Sequence, residues 1–276
     1  MVAGALVVLD RMANQAVKPV PRLPDESVPD RGILHEDLTI PSGDHTLHAW
    51  LLPPGGAPRP PLVLLTHGWG ANYGVLIQLA EPLVAAGYEV LLFDIRGHGR
   101  NEEVPFATIR HFRDDIMAVA RYAEDRFPGR PLVLVGHSLG GAAGVLAAAE
   151  GAPLRGLGLL AAPADVMDVT AAYMASKGLP GGLLVRVLRP FWWVRVGGTF
   201  RPLTPGRRIS ELQIPVLVVH PGDDERVPMA HAERLAQGAG VELHVIPDAQ
   251  HTRFLGWPQT HALVLDFLAG LDGAEA

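Results

Sequence analysis

One serine in the segment LVLVGHSLGGAAG stands where a nucleophile could act. Ser138 has Gly136 two positions before it and Gly140 two positions after it, which matches the pattern G-x-S-x-G. A nucleophile on a tight strand-to-helix turn needs neighbours with almost no side chain, and the two glycines meet that need. The alternative is a glycine-rich turn that holds a buried serine without chemistry, and the pentapeptide alone does not exclude it.

A serine hydroxyl is a weak nucleophile and needs a base that an acid orients. Among twelve histidines, His251 follows the last predicted strand on a loop, whereas His244 lies inside that strand and His261 inside the final helix. The segment HPGDDERVP follows another strand and offers Asp223 and Asp224 as the acid. The order serine, acid, histidine along the chain is the one expected when the three groups stand on strand ends of an open α/β sheet.

The negative charge that develops on an attacked carbonyl oxygen needs two N–H donors. The amide of Leu139, directly after the nucleophile, is the first candidate. The loop THGWGAN follows the first parallel strand, and the amide of Trp69 is the second candidate because Gly68 and Gly70 give this loop freedom. Serine, histidine, acid and two amides together predict acyl transfer through a covalent intermediate.

Apolar runs and helix-length segments alternate along the chain and determine where these residues lie. Two extended runs, ILHEDLTI and HTLHAWLLPP, surround PSGD and predict an antiparallel hairpin. Short apolar runs then suit strands buried on both faces of a parallel sheet, at 61–67, 88–94, 131–137, 155–161, 214–220 and 241–246. Helical segments lie between them, at 75–86, 108–127, 139–150 and 258–270, and predict right-handed βαβ units. Active sites of such sheets lie beyond the carboxyl ends of the strands.

Length and spacing predict one domain with an insertion. The chain has 276 residues, 48% of them hydrophobic, which is enough for a single α/β domain over residues 1–276. Residues 164–208, between the strands at 155–161 and 214–220, are too many for a plain loop and are interpreted as a short helical lid. This segment carries seven cations against two aspartates, whereas the whole chain has a net charge of −6.

The lid also contains Trp192 and Trp193, which are predicted to line an apolar pocket for an acyl group. Two alternatives stay open for these tryptophans. They could pack the lid onto the core, or the lid could make weak contact with a membrane surface. Asp165 and Asp168, after the strand at 155–161, are interpreted as lid residues.

Composition and missing motifs exclude several function classes. A net charge of −6 argues against nucleic-acid binding, and the absence of cysteine excludes disulfides and thiolate chemistry. No phosphate-binding G-x-x-x-x-G-K-[ST] or zinc-binding H-E-x-x-H motif is present, so no cofactor and no metal are predicted. The apolar N-terminal run is interrupted by Asp10 and has no basic stretch before it. We expect a soluble, cytoplasmic protein whose N-terminal helix packs on the core or touches a membrane surface; its oligomeric state stays open.

Several of these segments resemble motifs of the α/β-hydrolase superfamily, in its serine esterase and lipase-like branch. They are HGWG, DIRGHGRN, GHSLGG, HPGDDERVP and AQH, and the likeness extends over residues 33–270. The hairpin PSGDHTLHAWLLPP is similar to members known as lysophospholipase-like or serine-aminopeptidase-type hydrolases. The resemblance implies a mostly parallel sheet of about eight strands with helices on both faces. Aligning Val227 and Pro228 with the family's acid segment favours Asp224 over Asp223, although Pro221 stands where a glycine is usual.

The resemblance implies a cofactor-free carboxylic ester hydrolase that acts on a small-molecule ester with an apolar acyl group. Ser138 would attack, His251 would move the proton, and Asp224 would orient the histidine. An acyltransferase or a thioesterase could use the same groups, and a peptidase or a catalytically silent binding module is a weaker alternative. A further group, Asp94, Arg96 and His98, is expected to lock a loop near the site through hydrogen bonds to the backbone.

Overall fold

A computed structural model describes residues 2–272, with side chains from residue 4 onward. The strands are β1 (Glu36–Ser42), β2 (His45–Leu52), β3 (Leu62–Thr66), β4 (Glu89–Phe93), β5 (Leu132–His137), β6 (Gly156–Leu160), β7 (Val216–Pro221) and β8 (Leu243–Ile246). The helices are α1 (Val2–Val17), α2 (Gly74–Ala85), α3 (Ile109–Arg126), α4 (Leu139–Ala149), α5 (Val166–Ser176), α6 (Gly181–Arg195), α7 (Pro205–Arg208), α8 (Met229–Ala239) and α9 (Pro258–Leu271). Short 3₁₀ turns cover Arg201–Leu203, Ile209–Glu211 and Arg253–Gly256.

Within residues 2–272 the strands form one eight-stranded sheet in the order β1-β2-β4-β3-β5-β6-β7-β8. β2 runs antiparallel to both of its neighbours, and the remaining neighbours pair in parallel. The parallel pairing brings the carboxyl ends of β3, β5, β6 and β7 to one edge of the sheet. The predicted architecture, a mostly parallel sheet of about eight strands with helices on both faces, is confirmed.

The entry hairpin has a tighter turn than the sequence predicts. β1 continues through Pro41 and Ser42, and Ser42 pairs with His45, so only Gly43 and Asp44 remain in the turn. The hydroxyl of Ser42 is buried and donates a hydrogen bond of 2.6 Å to a carboxyl oxygen of Asp115. This contact holds Ser42 against the core. The first two residues of PSGD therefore belong to the strand, and the last two form the turn.

Side chains alternate between two apolar layers, one on each face of the sheet. On β3, Leu62 and Leu64 join the layer covered by α3, α4 and α8, whereas Val63 and Leu65 join the layer covered by α2 and α9. All four side chains are fully buried. The two layers explain the continuous apolar runs in the sequence, because a strand covered on both faces has no polar side.

Residues 164–208 connect β6 to β7 and contain α5, α6 and α7. The N-terminal helix α1 packs against α6, and the indole N–H of Trp192 donates a hydrogen bond of 2.9 Å to the carbonyl oxygen of Ala13. This contact agrees with the expectation that the N-terminal helix packs on the body of the protein. Within residues 2–272, the helices are too short or too polar to cross a bilayer.

Candidate active site

Ser138 occupies the turn between β5 and α4 with φ 53° and ψ −124°. A positive φ is rare for a residue with a side chain and stores strain, of about 1–3 kcal/mol. A Cβ atom at Gly136 would lie 2.5 Å from the backbone of Gly141, and one at Gly140 would lie 2.5 Å from the carbonyl oxygen of His67. Both glycines of the pentapeptide are therefore required by close approach of the backbone.

His251 lies between Ser138 and Asp224 and contacts both. Its Nδ1 is 2.8 Å from Oδ2 of Asp224, and its Nε2 is 3.0 Å from Oγ of Ser138. An ionised carboxylate can only accept, so Nδ1 carries the proton, and Nε2 of the neutral ring is then free to accept from the serine hydroxyl. The structure therefore brings together the serine, histidine and acid that the sequence singles out. Asp223, the alternative acid, is exposed to solvent.

The second carboxyl oxygen of Asp224 accepts hydrogen bonds of 2.8 Å from the amides of Arg226 and Val227. Burial raises the pKa of Asp224, but the hydrogen bond from His251 and those from the two amides outweigh it and leave the pKa below its usual value. Asp224 is therefore ionised at neutral pH. A fixed negative charge beside Nδ1 both orients the imidazole of His251 and stabilises its protonated form.

Two buried histidines that the sequence analysis did not select support His251 and the neighbouring loop. Nε2 of His137 lies 2.9 Å from the carbonyl oxygen of His251, so that nitrogen must carry the proton and donate. Burial, followed by the nearby His251, lowers the pKa of His137 to about 3. His137 therefore remains neutral and anchors the histidine loop. Its signal in the sequence is its place directly before the serine.

His67 has a similar supporting role under the loop that contains Trp69. Its Nδ1 donates to the carbonyl oxygen of Gly68 at 2.8 Å, and its Nε2 accepts from the amide of Ile95 at 3.1 Å. Burial is the main cause that lowers the pKa of His67 to about 3, so the ring stays neutral. The signal for this residue is the histidine that opens HGWG. The loop is thereby held against the turn after β4.

The loop with Trp69 lies directly against Ser138. A Cβ atom at Gly68 would lie 2.7 Å from Cβ of Ser138, which shows how closely the two turns approach. Trp69 and Leu139 both line the cavity that contains the serine hydroxyl. Within residues 2–272 neither amide donates a hydrogen bond to another part of the protein. Both predicted donors are thus free to bind a ligand oxygen.

The side chains of Asp94, Arg96 and His98 hold the loop after β4. Carboxyl oxygens of Asp94 accept hydrogen bonds from the amides of Tyr73, at 2.8 Å, and Arg100, at 3.0 Å. The guanidinium of Arg96 binds the buried carboxylate of Asp115, and Nδ1 of His98 donates to the carbonyl oxygen of Arg96 at 2.9 Å. Asp94 and His98 bind backbone atoms as expected, whereas the guanidinium of Arg96 differs from the expectation and binds the side chains of Asp115 and Ser42.

A cavity of about 800 Å³ opens above Ser138 and His251. Its walls include apolar side chains of α1, α5, α6 and the turns near them: Val17, Val166, Val169, Tyr173, Trp192, Val196, Phe200 and Leu203. Trp192 is 2% exposed and lies on this wall. Trp193 differs from the expectation, because its side chain is 52% exposed and lies outside the cavity wall. Adjacent positions on a helix point about 100° apart, so one tryptophan faces inward and the next faces solvent.

Asp165 and Asp168 lie in the inserted segment, and within residues 2–272 neither of them binds His251. Asp165 caps α5, where its carboxylate accepts a hydrogen bond of 2.8 Å from the amide of Met167. Asp168 lies 3.6 Å from the guanidinium of Arg234. Their interpretation as residues of the insertion agrees with these contacts.

Comparison with known proteins finds matches to hydrolases. A family model described as serine aminopeptidase, S33 matches residues 57–192. Lysophosphatidylserine lipase ABHD12 of Danio rerio is 26% identical over 230 residues, which are 75% of this chain and 58% of that protein. Monoglyceride lipase of Homo sapiens is 31% identical over 135 residues, 46% of this chain and 44% of that protein. The chain thus spans about half of the length of these curated relatives.

Among solved structures, the esterase Pf2001 of Pyrococcus furiosus superposes with a TM-score of 0.72. It is 21% identical, and the match covers 91% of this chain and 98% of that one. The sheet order, the strained serine turn and the structural match show that the chain has the α/β-hydrolase fold. The sequences that it matches are a serine aminopeptidase family model and lipases.

Proposed function

We propose that the protein is a carboxylic ester hydrolase that works through Ser138, His251 and Asp224 and an acyl-enzyme intermediate. The observation that carries the proposal is the unbroken line of hydrogen bonds from the serine hydroxyl through the imidazole to the carboxylate, at the base of an open cavity. Nucleophile, base and orienting acid are the three parts that acyl transfer by serine requires.

The first half of the reaction forms the acyl-enzyme. Oγ of Ser138 attacks the carbonyl carbon of the ester while its proton passes to Nε2 of His251. The carbonyl oxygen becomes an oxyanion and accepts hydrogen bonds from the amides of Trp69 and Leu139. As the C–O bond to the alcohol breaks, protonated His251 gives its proton to the leaving alkoxide.

The second half reverses these roles with water. His251 takes a proton from a water molecule, whose oxygen attacks the acyl carbon that is bound to Ser138. The carboxylic acid then leaves, and the serine recovers its proton from the imidazole. Asp224 keeps its charge throughout, which lowers the cost of the positive imidazolium in each half.

The cavity wall supports an apolar acyl group as the part of the substrate that is bound most deeply. Aliphatic and aromatic side chains predominate where the inserted segment and α1 cover the serine. Burying a methylene group against such a wall contributes about 0.8 kcal/mol. Affinity should therefore rise as the acyl chain lengthens until the cavity is filled.

The test compares Ser138→Ala with wild-type protein on p-nitrophenyl esters of increasing acyl length and on a fluorophosphonate probe. We expect Ser138→Ala to lose both hydrolysis and labelling, because no other group can form the acyl-enzyme. Ser210→Ala changes an exposed serine that does not line the cavity and serves as the control. Turnover in Ser138→Ala equal to that of the wild type would disprove the proposal.

A further inference from the structure

A second cleft lies in the inserted segment, next to the cavity above Ser138. It has a volume of about 710 Å³, and its wall carries four arginines: Arg186, Arg189, Arg201 and Arg207. The cleft and the cavity share part of their lining, namely Asp165, Met167, Phe200 and Thr204. A ligand that fills the cavity is therefore separated from the arginines by only these shared residues.

The arginines of this cleft differ from other arginines of the inserted segment in having no carboxylate partner within residues 2–272. Elsewhere in the segment, Arg195 pairs with Asp10 at 2.9 Å and Arg208 pairs with Glu211 at 2.7 Å. Within residues 2–272, the four arginines of the cleft form no ion pair with a carboxylate. Arg189 stacks over the ring of Phe200 at 5.3 Å and presents its guanidinium beside the shared wall.

Two carboxylates, those of Asp165 and Asp168, also line the cleft, so its four arginines outnumber its acids two to one. The carboxylate of Asp165 accepts hydrogen bonds from the amides at the start of α5, and that of Asp168 lies 3.6 Å from Arg234, which is not part of the cleft wall. The cleft therefore concentrates positive charge on a protein whose overall charge is −6. Unpaired guanidinium groups on facing elements form a site for an anion with several oxygens, because each planar fork can donate to two of them.

We propose that the arginine cleft binds the phosphate group of an ester substrate whose acyl chain occupies the apolar cavity. This proposal rests on the proposed function, since it names the substrate class as acyl esters of phosphorylated alcohols. A phosphate could not enter the apolar cavity without losing its hydration, which is costly. The two adjoining sites let the acyl chain be buried while the phosphate stays at the surface among the arginines.

The chemistry of Ser138 is unchanged by this assignment. The acyl C–O bond breaks, the acyl group passes to Oγ, and the phosphorylated alcohol leaves with the proton that His251 returns. The phosphate ester bond remains intact. The cleft thus acts on affinity and orientation, and its contribution should appear in kcat/KM for phosphorylated esters only.

The test measures kcat/KM for a matched pair of monomeric substrates, octanoylglycerol and octanoylglycerol phosphate. The variant Arg186→Gln/Arg207→Gln removes two charges of the cleft, and Arg121→Gln/Arg155→Gln removes two charges from exposed arginines that line neither cavity. We expect the cleft variant to lower kcat/KM for the phosphorylated ester about tenfold. For octanoylglycerol both variants should stay within about twofold of the wild type.

Salt and vesicles separate a substrate site from a membrane-binding surface. At about 0.5 M salt the preference of the wild type for the phosphorylated ester should shrink, because exposed charges are screened. The proposal is overturned if the ratio of kcat/KM for octanoylglycerol phosphate to kcat/KM for octanoylglycerol is the same in the wild type and in the cleft variant. The proposal is overturned as well if the cleft variant loses only its binding to phosphatidylglycerol vesicles, since the arginines would then serve a lipid surface.

Binding measured without turnover distinguishes failure of this proposal from failure of the proposed function. Ser138→Ala protein is titrated calorimetrically with octyl phosphate and with octanol. Tighter binding of octyl phosphate that disappears with Arg186→Gln/Arg207→Gln supports the cleft even if the wild type hydrolyses neither ester. Equal binding of the two probes overturns it even if the wild type hydrolyses octanoylglycerol.

Discussion

The strained backbone at Ser138 places the hydroxyl within 3.0 Å of Nε2 of His251, and several buried partners hold that arrangement. The amide of Ser138 itself donates to the carbonyl oxygen of Leu160, at 2.8 Å, on the neighbouring strand. His137 holds the backbone of His251 from the other side. These contacts restrain Ser138 and His251 independently of the inserted segment at 164–208.

Asp224→Asn should lower kcat by about a thousandfold or more and leave KM nearly unchanged. The amide of asparagine keeps the shape of the side chain but removes the charge that orients and stabilises the imidazole of His251. Asp223→Asn is the matched control, because it makes the same chemical change on an exposed neighbour. Steady-state kinetics on one p-nitrophenyl ester measures both. Equal losses in the two variants would contradict the assignment of Asp224.

The turn from β5 to α4 depends on close packing of backbone against backbone. At Gly140 even a methyl group would meet the carbonyl oxygen of His67 and the side chain of Thr66. The sequence predicts this turn from its glycine spacing, because a turn of this kind leaves no room for Cβ atoms. The local sequence was therefore sufficient to predict the turn from β5 to α4 and the position of Ser138 within it.

Gly140→Ala should lower the free energy of unfolding by about 2 kcal/mol and reduce activity, because the turn must shift to admit the new methyl group. Gly270→Ala lies near the end of α9, where a Cβ atom would have nothing within 4 Å. That control should raise stability by up to about 1 kcal/mol, since alanine is the better helix former. Urea unfolding followed by circular dichroism measures both changes. A Gly140→Ala protein as stable as the control would contradict the close packing.

Long-range packing decides what the inserted segment presents to the cavity. Its composition predicts a basic and aromatic lid, but the direction of each side chain depends on how α6 rests on α1 and on the sheet. That contact turns Trp192 inward, where its indole N–H reaches Ala13, and leaves Trp193 at the surface. Residues almost 180 positions apart determine the wall, so no local pattern could have separated the two tryptophans.

The stability of the whole molecule should fall as the pH is lowered from about 6.5 towards 3. His67 and His137 each have a pKa of about 3 in the folded protein, against an ordinary value of 6.5. Because these pKa values are lower in the folded protein than in the unfolded chain, acid protonates the two histidines in the unfolded chain first. Their contribution to the free energy of unfolding is therefore complete above pH 6.5 and is lost as the pH falls below that value. Asp94 acts in the opposite direction, since burial raises its pKa to about 6 and protonation favours the folded state below that pH.

Urea unfolding at a series of pH values tests this dependence. Each buried histidine should contribute a slope of about 1 kcal/mol per pH unit between pH 6 and 4. His137→Gln removes one titrating group, so its curve should be shallower than that of the wild type by about that amount. Parallel curves for the two proteins would show that His137 does not resist protonation.

The sequence by itself determined the sheet, the order of its βαβ units, the serine turn and the loops that carry the acid and the histidine. These follow from local rules, because apolar runs, glycine spacing and turn residues act over a few neighbouring positions. The choice of Asp224 over Asp223 already needed the resemblance to a family, since two adjacent aspartates have the same local signal. In the structure that choice is made by packing, which turns one carboxylate toward His251 and the other toward solvent.

Only the tertiary structure decided which residues support the site and what surrounds it. The neutral histidines His67 and His137 become anchors because distant strands bury them, and burial removes their charge. The four arginines line one cleft because the tertiary structure brings α6, the 3₁₀ turn Arg201–Leu203 and α7 to the same side of the cavity. Side-chain direction and burial arise from contacts between remote parts of the chain, and a linear pattern of residues does not contain them.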